Sequence, residues 1–299
     1  MDLRRIRYFI VLSEELHFGR AAQRLNIAQP PLSQQIRVLE DELGARLFDR
    51  SNRRVELTAA GKALLPEARA LVAQAERTGE VARRAQLGEL GELRVGFTGS
   101  AAFGSVIPKL IFEFRRRLPE VHLRLEELTT QQQLTAMLER RLEVAFVRGM
   151  TSPDLPSSLQ VTRLFEDALV VVLPAQHPLA ARESALSIEA LKDEGFVMYP
   201  RERGTGVYDQ IIALCQQAGF APRLAQEARE SATIVALVAA GLGVAIVPAS
   251  LSSINVDGVA YRPLRGKAAR SAMWMVLRAG KLSPQEALFM TLARELGTR

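Results

Sequence analysis

The fold of the N-terminal part is decided by the stretch from residue 18 to residue 44, FGRAAQRLNIAQPPLSQQIRVLEDELG. Residues 20–25 are rich in helix formers, and a short polar connection follows them. Pro30 and Pro31 then open another helix, because the first-turn N–H groups of a helix lack intrahelical partners and proline is tolerated there. That helix stops at Gly44, a typical C-terminal signal. Two helices joined by a tight turn, the second with one polar face, predict a helix-turn-helix.

A hairpin and a long helix are expected next. Apolar pieces at 47–48 and 55–57 flank a polar, basic tip, which predicts a small β-hairpin, the wing. Thr58 is placed to cap a helix from Ala59 to about Gln86, a rod about 40 Å long that Pro66 should bend. Its inward stripe steps alternately by four and three residues, which favours a coiled-coil seam between two copies over packing on its own domain. The stripe comprises Leu64, Ala68, Leu71, Ala75, Thr78, Ala82 and Ala85.

Beyond the hinge glycines Gly88 and Gly91, short apolar strands alternate with helical segments. We expect strands at 93–97, 122–128, 144–147, 168–173, 196–199, 244–247 and 272–278, and helices at 106–118, 131–140, 207–218, 232–240 and from 284 onward. This alternation predicts parallel sheets in two α/β lobes with a cleft between them, the chain's tail returning to the first lobe. The predicted domains are a winged helix-turn-helix domain (1–58), a linker and dimerisation helix (59–88) and an effector-binding domain (89–299), with lobe I at about 92–163 and 269–299 and lobe II at about 164–268.

Composition limits the classes of function. The 299 residues are 48% hydrophobic and 24% charged, an ordinary balance for a globular protein. No apolar run approaches the ~20 residues that span a bilayer, and the N-terminus does not resemble a secretory signal. The single cysteine, Cys215, cannot form an internal disulfide, which fits a reducing compartment. We expect a soluble cytoplasmic protein without a membrane partner, and the net charge of +6 is compatible with binding nucleic acid.

The helix that begins at the proline pair carries polar side chains on one face. Glutamine and arginine can read adenine and guanine edges in the major groove of DNA, and serine can hold a phosphate. Such a face is also common on solvated helices, but arginines at the tip of the wing suit a minor-groove or backbone contact. The expected DNA-binding residues are Gln29, Pro30, Pro31, Ser33, Gln34, Arg37, Arg50, Arg53 and Arg54.

A binding site is also expected where strands of the second part end. Ser100 follows a strand and a glycine at the start of a helix, and Thr205-Gly206 repeats this arrangement in the other lobe. Exposed N–H groups at helix N-termini attract anions, and ligands of open α/β sheets bind beyond the carboxyl ends of the strands. Arg148 lies at such an end and could pair with a carboxylate. Helix caps and a surface arginine would explain the same residues without a ligand.

The other motifs in the sequence give little evidence about function. Gly241-Leu-Gly243 lacks the dinucleotide fingerprint, and we interpret it as a turn. His17, His122 and His177 are far apart and show no metal-ligand spacing. Cys215 is expected to be a packed, inert thiol. Because no nucleophile–base pattern is visible either, we expect no enzyme, metal or cofactor.

The N-terminal residues resemble the LysR-type transcriptional regulators. The strings that carry the resemblance are Phe18-Gly-Arg-Ala-Ala-Gln-Arg-Leu25, Ala28-Gln-Pro-Pro-Leu-Ser33, Gln35-Ile36, Leu39-Glu40, Leu43-Gly44, Leu47-Phe48, Arg50, Leu57-Thr58 and Ala60-Gly61. The Gln-Pro-Pro-Leu-Ser variant is similar to the subgroup that controls degradation of benzoate, catechol and chlorinated catechols in bacteria. Gln34 departs from that subgroup, in which arginine is frequent at this position.

The resemblance extends over the second part of the chain. The strings similar to muconate-responsive members are Gly96-Phe-Thr-Gly-Ser100, Phe103-Gly104, Arg148, Tyr199-Pro200, Val238-Ala-Ala-Gly-Leu-Gly243 and Val247-Pro-Ala-Ser250. The resemblance implies that Ser100, Thr130 and Arg148 bind the effector, and that Pro200 and the backbone of Thr205, Gly206 and Val207 complete the site. The loop Arg201-Glu-Arg-Gly-Thr-Gly206 departs from the pattern, which leaves the effector's identity open.

The hypothesis is therefore a regulator of the periplasmic-binding-protein-like, two-lobed type with a winged helix-turn-helix. It would bind double-stranded operator DNA as a homodimer or a dimer of dimers, through half-sites separated by whole turns. A small acidic or aromatic effector, expected to be a carboxylate, would shift the arrangement of lobes and the access of RNA polymerase. Two rivals are a periplasmic solute-binding protein, which would need an export signal, and an α/β enzyme, which would need a catalytic constellation.

Overall fold

The computed structural model describes residues 1–51, 54–201 and 206–297. The chain divides into two compact units, Met1–Gln86 and Leu87–Arg299. Among the described residues, no helix has the length and apolar character that a bilayer crossing requires.

The N-terminal unit is helical with one hairpin. Its elements are α1 (Leu3–Glu15), α2 (Phe18–Arg24), α3 (Gln29–Leu43), β1 (Phe48–Ser51), β2 (Arg54–Leu57) and α4 (Ala59–Gln86). The buried core of the unit comprises Ile6, Phe9, Leu12, Ala21, Ala22, Leu32, Ile36, Leu39, Leu47, Phe48 and Ala68. Phe9 and Phe48 meet edge to face with ring centroids 5.6 Å apart, which joins α1 to the hairpin. The predicted helix-turn-helix, wing and long helix are confirmed.

Local hydrogen bonds explain where these helices begin and end. The Nδ1 atom of His17 accepts from the backbone N–H groups of Gly19 and Arg20 at 3.1 and 3.3 Å, so His17 caps α2. Gly44 ends α3 in the left-handed conformation with φ +64°, which glycine adopts without steric cost. Thr58 caps α4, because its Oγ1 accepts from the N–H of Gly61 at 3.0 Å.

Helix α4 is covered only along its first half. Ala68 is 2% exposed, and the partly buried Leu64 and Val72 also pack on the core of the N-terminal unit. Leu71, between Ala68 and Val72 in sequence, is 39% exposed, and Val81, farther along the helix, is 54% exposed. The first two residues of the predicted seam, Leu64 and Ala68, are therefore used inside the unit, while the later part of the helix presents its apolar residues to solvent.

The C-terminal unit contains two sheets and their flanking helices. Its elements are β3 (Gly91–Phe97), α5 (Val106–Arg117), β4 (Val121–Glu127), α6 (Thr130–Leu138), β5 (Val144–Gly149), β6 (Leu159–Pro174), β7 (Gly195–Met198), α7 (Gly206–Gln217), β8 (Arg223–Glu227), α8 (Ser231–Ala239), β9 (Ala245–Pro248), β10 (Val259–Pro263), β11 (Arg270–Arg278) and α9 (Pro284–Gly297). Among the described strands, the larger sheet has the order β10-β6-β11-β5-β3-β4, with β9 also paired to β6, and the smaller one consists of β7 and β8.

The strand directions differ from the expectation of parallel sheets. Strands β3, β4 and β5 are parallel to one another, as are β7 and β8. Strand β11 is antiparallel to β5, and the long strand β6 is antiparallel to β9, β10 and β11. The prediction was wrong for β6 and β11 because the pairing of distant strands leaves no local mark in the sequence. The first half of β6, together with β8 and β10, was also missed.

Two main hydrophobic cores define two lobes within this unit. Lobe I is built around a core with Phe114, Phe146 and Phe289, in which Phe114 and Phe289 meet edge to face with centroids 5.1 Å apart. Lobe II is built around a core that includes Phe196 and Cys215. Strand β6 passes through both lobes, since it pairs with β11 in lobe I and with β9 and β10 in lobe II. The predicted two-lobed α/β architecture is confirmed.

Candidate functional site

The N-terminal unit presents one polar face along α3. Leu32, Ile36 and Leu39 of this helix are buried. The opposite side presents the exposed residues Gln29, Pro30, Pro31, Gln34 and Arg37, with Ser33 half-buried beside them. Because 3.6 residues make one helical turn, burial of the apolar set directs this polar set outward. Among the described residues, none hydrogen-bonds or ion-pairs with the guanidinium group of Arg37. Its donors therefore remain available to an external partner.

The Glu40 carboxylate fixes the wing to α3. Glu40 Oε1 accepts hydrogen bonds from the N–H groups of Leu47 and Phe48 at 2.8 and 3.2 Å. Glu40 Oε2 accepts from Arg50 Nη2 at 2.8 Å, and the Arg50 guanidinium lies 5.2 Å from the ring centroid of Phe18. Arg50 is thus engaged within the unit, and it joins the wing to both helices of the helix-turn-helix.

The other two wing arginines are Arg53 and Arg54. The side chain of Arg54 is 81% exposed, and its Nη1 atom lies 3.5 Å from Glu56 Oε1. Arg53 lies outside the described residues. Sequence analysis named Glu40 only within the family resemblance and gave it no role; an acid three residues before the end of α3, just ahead of the wing in sequence, was the signal for one.

The C-terminal unit contains a cavity of about 270 Å³ between its two lobes. Lobe I contributes Ser100, Thr130 and Arg148 to the wall, and lobe II contributes Gly206 and Val207. Further lining residues, to which sequence analysis gave no binding role, are Thr98, Gly99, Glu127, Leu128, Thr129, Tyr199, Arg229, Glu230 and Ser231. Pro200 is buried but is not part of the lining, and Thr205 lies outside the described residues.

Helical segments begin at four places on the cavity wall. A short 3-10 helix starts at Gly99, α6 starts at Thr130, α7 starts at Gly206 and α8 starts at Ser231. The N–H groups at the start of a helix are unsatisfied and carry partial positive charge, so their convergence favours an anionic group. At α6, the hydroxyl of Thr129 already accepts from the N–H of Gln132, which forms a capping box.

Arg148 is the central charged group of the cavity, and its side chain is only 2% exposed. Its Nε donates to Ser100 Oγ at 3.1 Å and its Nη1 to Asp167 Oδ2 at 3.3 Å. Its Nη2 is buried and has no hydrogen-bond partner among the described residues. Burial lowers the pKa of Arg148, and the nearby Asp167 carboxylate opposes that shift.

Contacts between the lobes make the wall of the cavity tight. A Cβ atom on Gly206 would lie 2.3 Å from the backbone oxygen of Arg148, so this approach of α7 to β5 requires glycine. On the wall formed by lobe II, the hydroxyl oxygens of Tyr199 and Ser231 are 2.7 Å apart and share a hydrogen bond. Sequence reasoning missed this pair, because the two residues are brought together only by the packing of α8 against β7.

Two protein-family models match the chain. The model described as bacterial regulatory helix-turn-helix protein, lysR family, matches residues 3–62. The model described as LysR substrate binding domain matches residues 86–298.

Individual proteins show the same similarity. The chain is 42% identical over 276 residues to the HTH-type transcriptional regulator YnfL of Escherichia coli strain K12, which is 92% of each protein. Its structure is similar to that of full-length CbnR complexed with its target DNA, with a TM-score of 0.85 and 29% identity over 99% of this chain and 100% of that one. It is also similar to the BenM effector binding domain with its effector benzoate, with a TM-score of 0.63 and 28% identity over 69% of this chain and 91% of that one.

These relatives are named as transcriptional regulators, a role without catalysis, which confirms the prediction that the chain is not an enzyme. The substrate-binding model covers more than half of the chain, and a relative above 40% identity covers nearly all of it. The chain therefore belongs to the LysR family of DNA-binding transcriptional regulators.

Proposed function

We propose that this regulator reads its operator with the exposed face of α3 and holds the neighbouring DNA backbone with the wing. The observation that carries the proposal is the outward set of Gln29, Gln34 and Arg37 opposite the buried stripe of the same helix. The N-terminus of α3 has no side-chain cap, which leaves its first N–H groups able to face a phosphate. The DNA-bound CbnR structure supports DNA as the partner of this domain type.

The roles of individual residues follow from their positions. Gln29, Gln34 and Arg37 would contact base edges, Ser33 a phosphate, and Pro30 and Pro31 would set the approach of the helix. Arg53 and Arg54 would contact the backbone or minor groove beside the site. Arg50 would act chiefly by fixing the wing, because its guanidinium group is bound to Glu40.

A footprinting and binding experiment tests this proposal. The Arg37→Ala variant should bind operator DNA about tenfold or more weakly and lose discrimination at one base pair. The matched control is Arg116→Ala, which removes an exposed arginine of α5 that pairs with Glu113. If the two variants bind the operator equally well, α3 does not read the bases.

We also propose that the cavity binds a small effector with an anionic group, held by Ser100, Thr130, Arg148 and the N-terminal N–H groups at Gly206 and Val207. The buried Arg148 and the convergent helix starts support it, as does the benzoate bound by the BenM domain. Thr205, predicted from sequence, remains part of the proposal, whereas the buried Pro200 would only shape the loop.

A thermal-shift screen of aromatic and dicarboxylic acids tests the effector site, because stabilisation grows with ligand concentration relative to the dissociation constant. Ser100→Ala should abolish the shift that an active acid causes and leave DNA binding intact. The control Ser105→Ala removes an exposed serine at the start of α5, outside the cavity. Equal loss in both variants would argue against the site.

The proposal also includes assembly of two or more copies of the chain through α4. The seam residues beyond Ala68 are outside the core of the N-terminal unit and suit pairing with the same helix of a second copy; they are Leu71, Ala75, Thr78, Ala82 and Ala85. A homodimer or dimer of dimers would place two α3 helices on half-sites of an operator in the bacterial cytoplasm. The effector would then change DNA bending and the access of RNA polymerase by favouring one arrangement of the copies.

A further inference from the structure

The charge of the effector cavity is controlled by a residue that is not part of its lining. Asp167, on β6, pairs with Arg148 from behind the cavity wall. We infer that Asp167 is a specificity-determining residue, which makes the cavity select an effector with one anionic group and reject a second. This inference rests on the proposed function of the cavity as the effector site.

The hydrogen bonds of Arg148 leave one nitrogen for the effector. The guanidinium group is a planar fork that normally pairs with a carboxylate through two nitrogens. Here Nε is used by Ser100 and Nη1 by Asp167, and only Nη2 lacks a partner among the described residues. The hydroxyl of Ser100 accepts from Nε, so its own hydrogen can be donated elsewhere. An effector carboxylate would therefore receive one hydrogen bond from Nη2 and one from Ser100.

Burial makes the charge of Asp167 effective at this distance. The side chains of Arg148 and Asp167 are 2% and 11% exposed, so solvent screens their fields weakly. Asp167 Oδ2 also accepts from the N–H of Ser250 in lobe II at 3.4 Å, which holds the carboxylate in place. The Arg148–Asp167 pair is close to neutral as a unit, so an anion in the cavity meets the helix starts and the unpartnered Nη2 group of Arg148 rather than a full positive charge.

The other charged groups of the described lining do not add a net positive charge. Glu127, Arg229 and Glu230 lie at the rim of the cavity. Together with Arg148 and Asp167 they comprise two cations and three anions, so a second negative charge on the effector would find no compensating cation among the described lining residues. The geometry thus points to a monocarboxylate whose remaining part is uncharged.

Calorimetric titration of the full-length protein with two acids of similar shape tests this inference. The probes are benzoate, which carries one carboxylate, and terephthalate, which carries two. Wild-type protein should bind benzoate more tightly than terephthalate. In Asp167→Asn the amide oxygen can still accept from Arg148 and Ser250 while the negative charge is lost, so terephthalate affinity should rise by about tenfold relative to benzoate affinity. Asp167→Ser, a smaller side chain without charge, should change the ratio in the same direction.

The matched control is Glu166→Gln, which removes the same charge one residue away. Glu166 is 41% exposed and pairs with Arg163 on the surface, so its loss should leave the ratio unchanged. If Asp167 had a purely structural role, its replacement would weaken the binding of both acids equally, and that result would overturn the inference. The inference would also be overturned if the wild-type protein bound terephthalate more tightly than benzoate, or if Glu166→Gln changed the ratio of the two affinities as much as Asp167→Asn does.

The same titrations separate failure of the inference from failure of the proposed function. If the acids bind but their affinity ratio is the same in wild type and Asp167→Asn, only the role of Asp167 is wrong. If neither acid binds any form of the protein, including Asp167→Asn with its uncompensated arginine, the inference falls together with the proposed anion site.

Discussion

Replacement of Glu40 by alanine tests whether one carboxylate holds the wing on the helix-turn-helix. The side chain of Glu40 is 11% exposed and accepts from the N–H groups of Leu47 and Phe48 and from Arg50. A hydrogen bond to a charged group contributes roughly 1.5–3 kcal/mol, and a buried donor left unpaired costs about 1–3 kcal/mol. Since water can reach the exposed edge of the wing and replace part of the loss, we expect about 2–4 kcal/mol less local stability.

Hydrogen exchange on the intact protein measures this loss directly. A loss of about 2–4 kcal/mol corresponds to about 30-fold to several-hundred-fold faster exchange of the Leu47 and Phe48 amides, because each 1.4 kcal/mol is about tenfold. Operator affinity should fall as well, since the wing would no longer be held in register with α3.

The control variant is Glu42→Ala, on the same helix. Glu42 pairs with Arg5 and the N-terminal amine, but its side chain is 36% exposed, so solvent screens the pairs and their loss should cost little stability. The Arg5 guanidinium lowers the pKa of Glu42, so the small stabilisation from this pair is present at neutral pH and is lost as the pH falls through that lowered pKa. Equal acceleration of wing exchange in both variants would refute the clamping role of Glu40.

Two further predictions concern the C-terminal unit. Phe289→Ala should lower the free energy of unfolding of this unit by roughly 3–5 kcal/mol, because the ring is fully buried against Phe114. The control Phe112→Ala, at a 65% exposed position, should cost under ~1 kcal/mol. Urea titration followed by the fluorescence of Trp274 measures the unfolding free energy of both variants. Burial raises the pKa of Cys215 to about 11, so its thiol should react with iodoacetamide at about pH 8 far more slowly than in the urea-unfolded chain, and equal rates would contradict the buried position.

Elements whose boundaries depend on local signals could be predicted from the sequence. Helix α4 begins after Thr58 and ends at Gln86 as expected, since a capping hydroxyl and a following glycine turn mark its ends. Helix α3 likewise ends at Gly44. Strand β6 could not be predicted in full, because its first half does not sustain an alternation of apolar and polar residues and is held as a strand by pairing with β11, about a hundred residues away in sequence.

The candidate site shows the same division between local and distant information. Ser100 and Arg148 could be placed near each other because Ser100 follows β3 and Arg148 lies at the end of β5, and these parallel strands have their carboxyl ends at one edge of a sheet. Tyr199 and Ser231, which share a hydrogen bond on the opposite wall, were missed because their proximity depends on how lobe II packs. Asp167 was missed for another reason, since it lies in the part of β6 that was not predicted as a strand and its contact with Arg148 depends on the pairing of β5 and β6 with β11.

The energetics of Arg148 explain why the lining residues alone are a poor guide to the effector. A guanidinium group that is 2% exposed loses most of its hydration, and this cost must be offset by partners in the fold. Asp167 supplies the opposite charge and thereby removes much of the positive potential that an anion would otherwise meet. The residue that makes burial of the arginine tolerable is thus the same one that limits its attraction for ligands. A sequence change at Asp167, behind the wall, should alter effector preference more than a change at the exposed rim residue Glu127, where solvent screens the field.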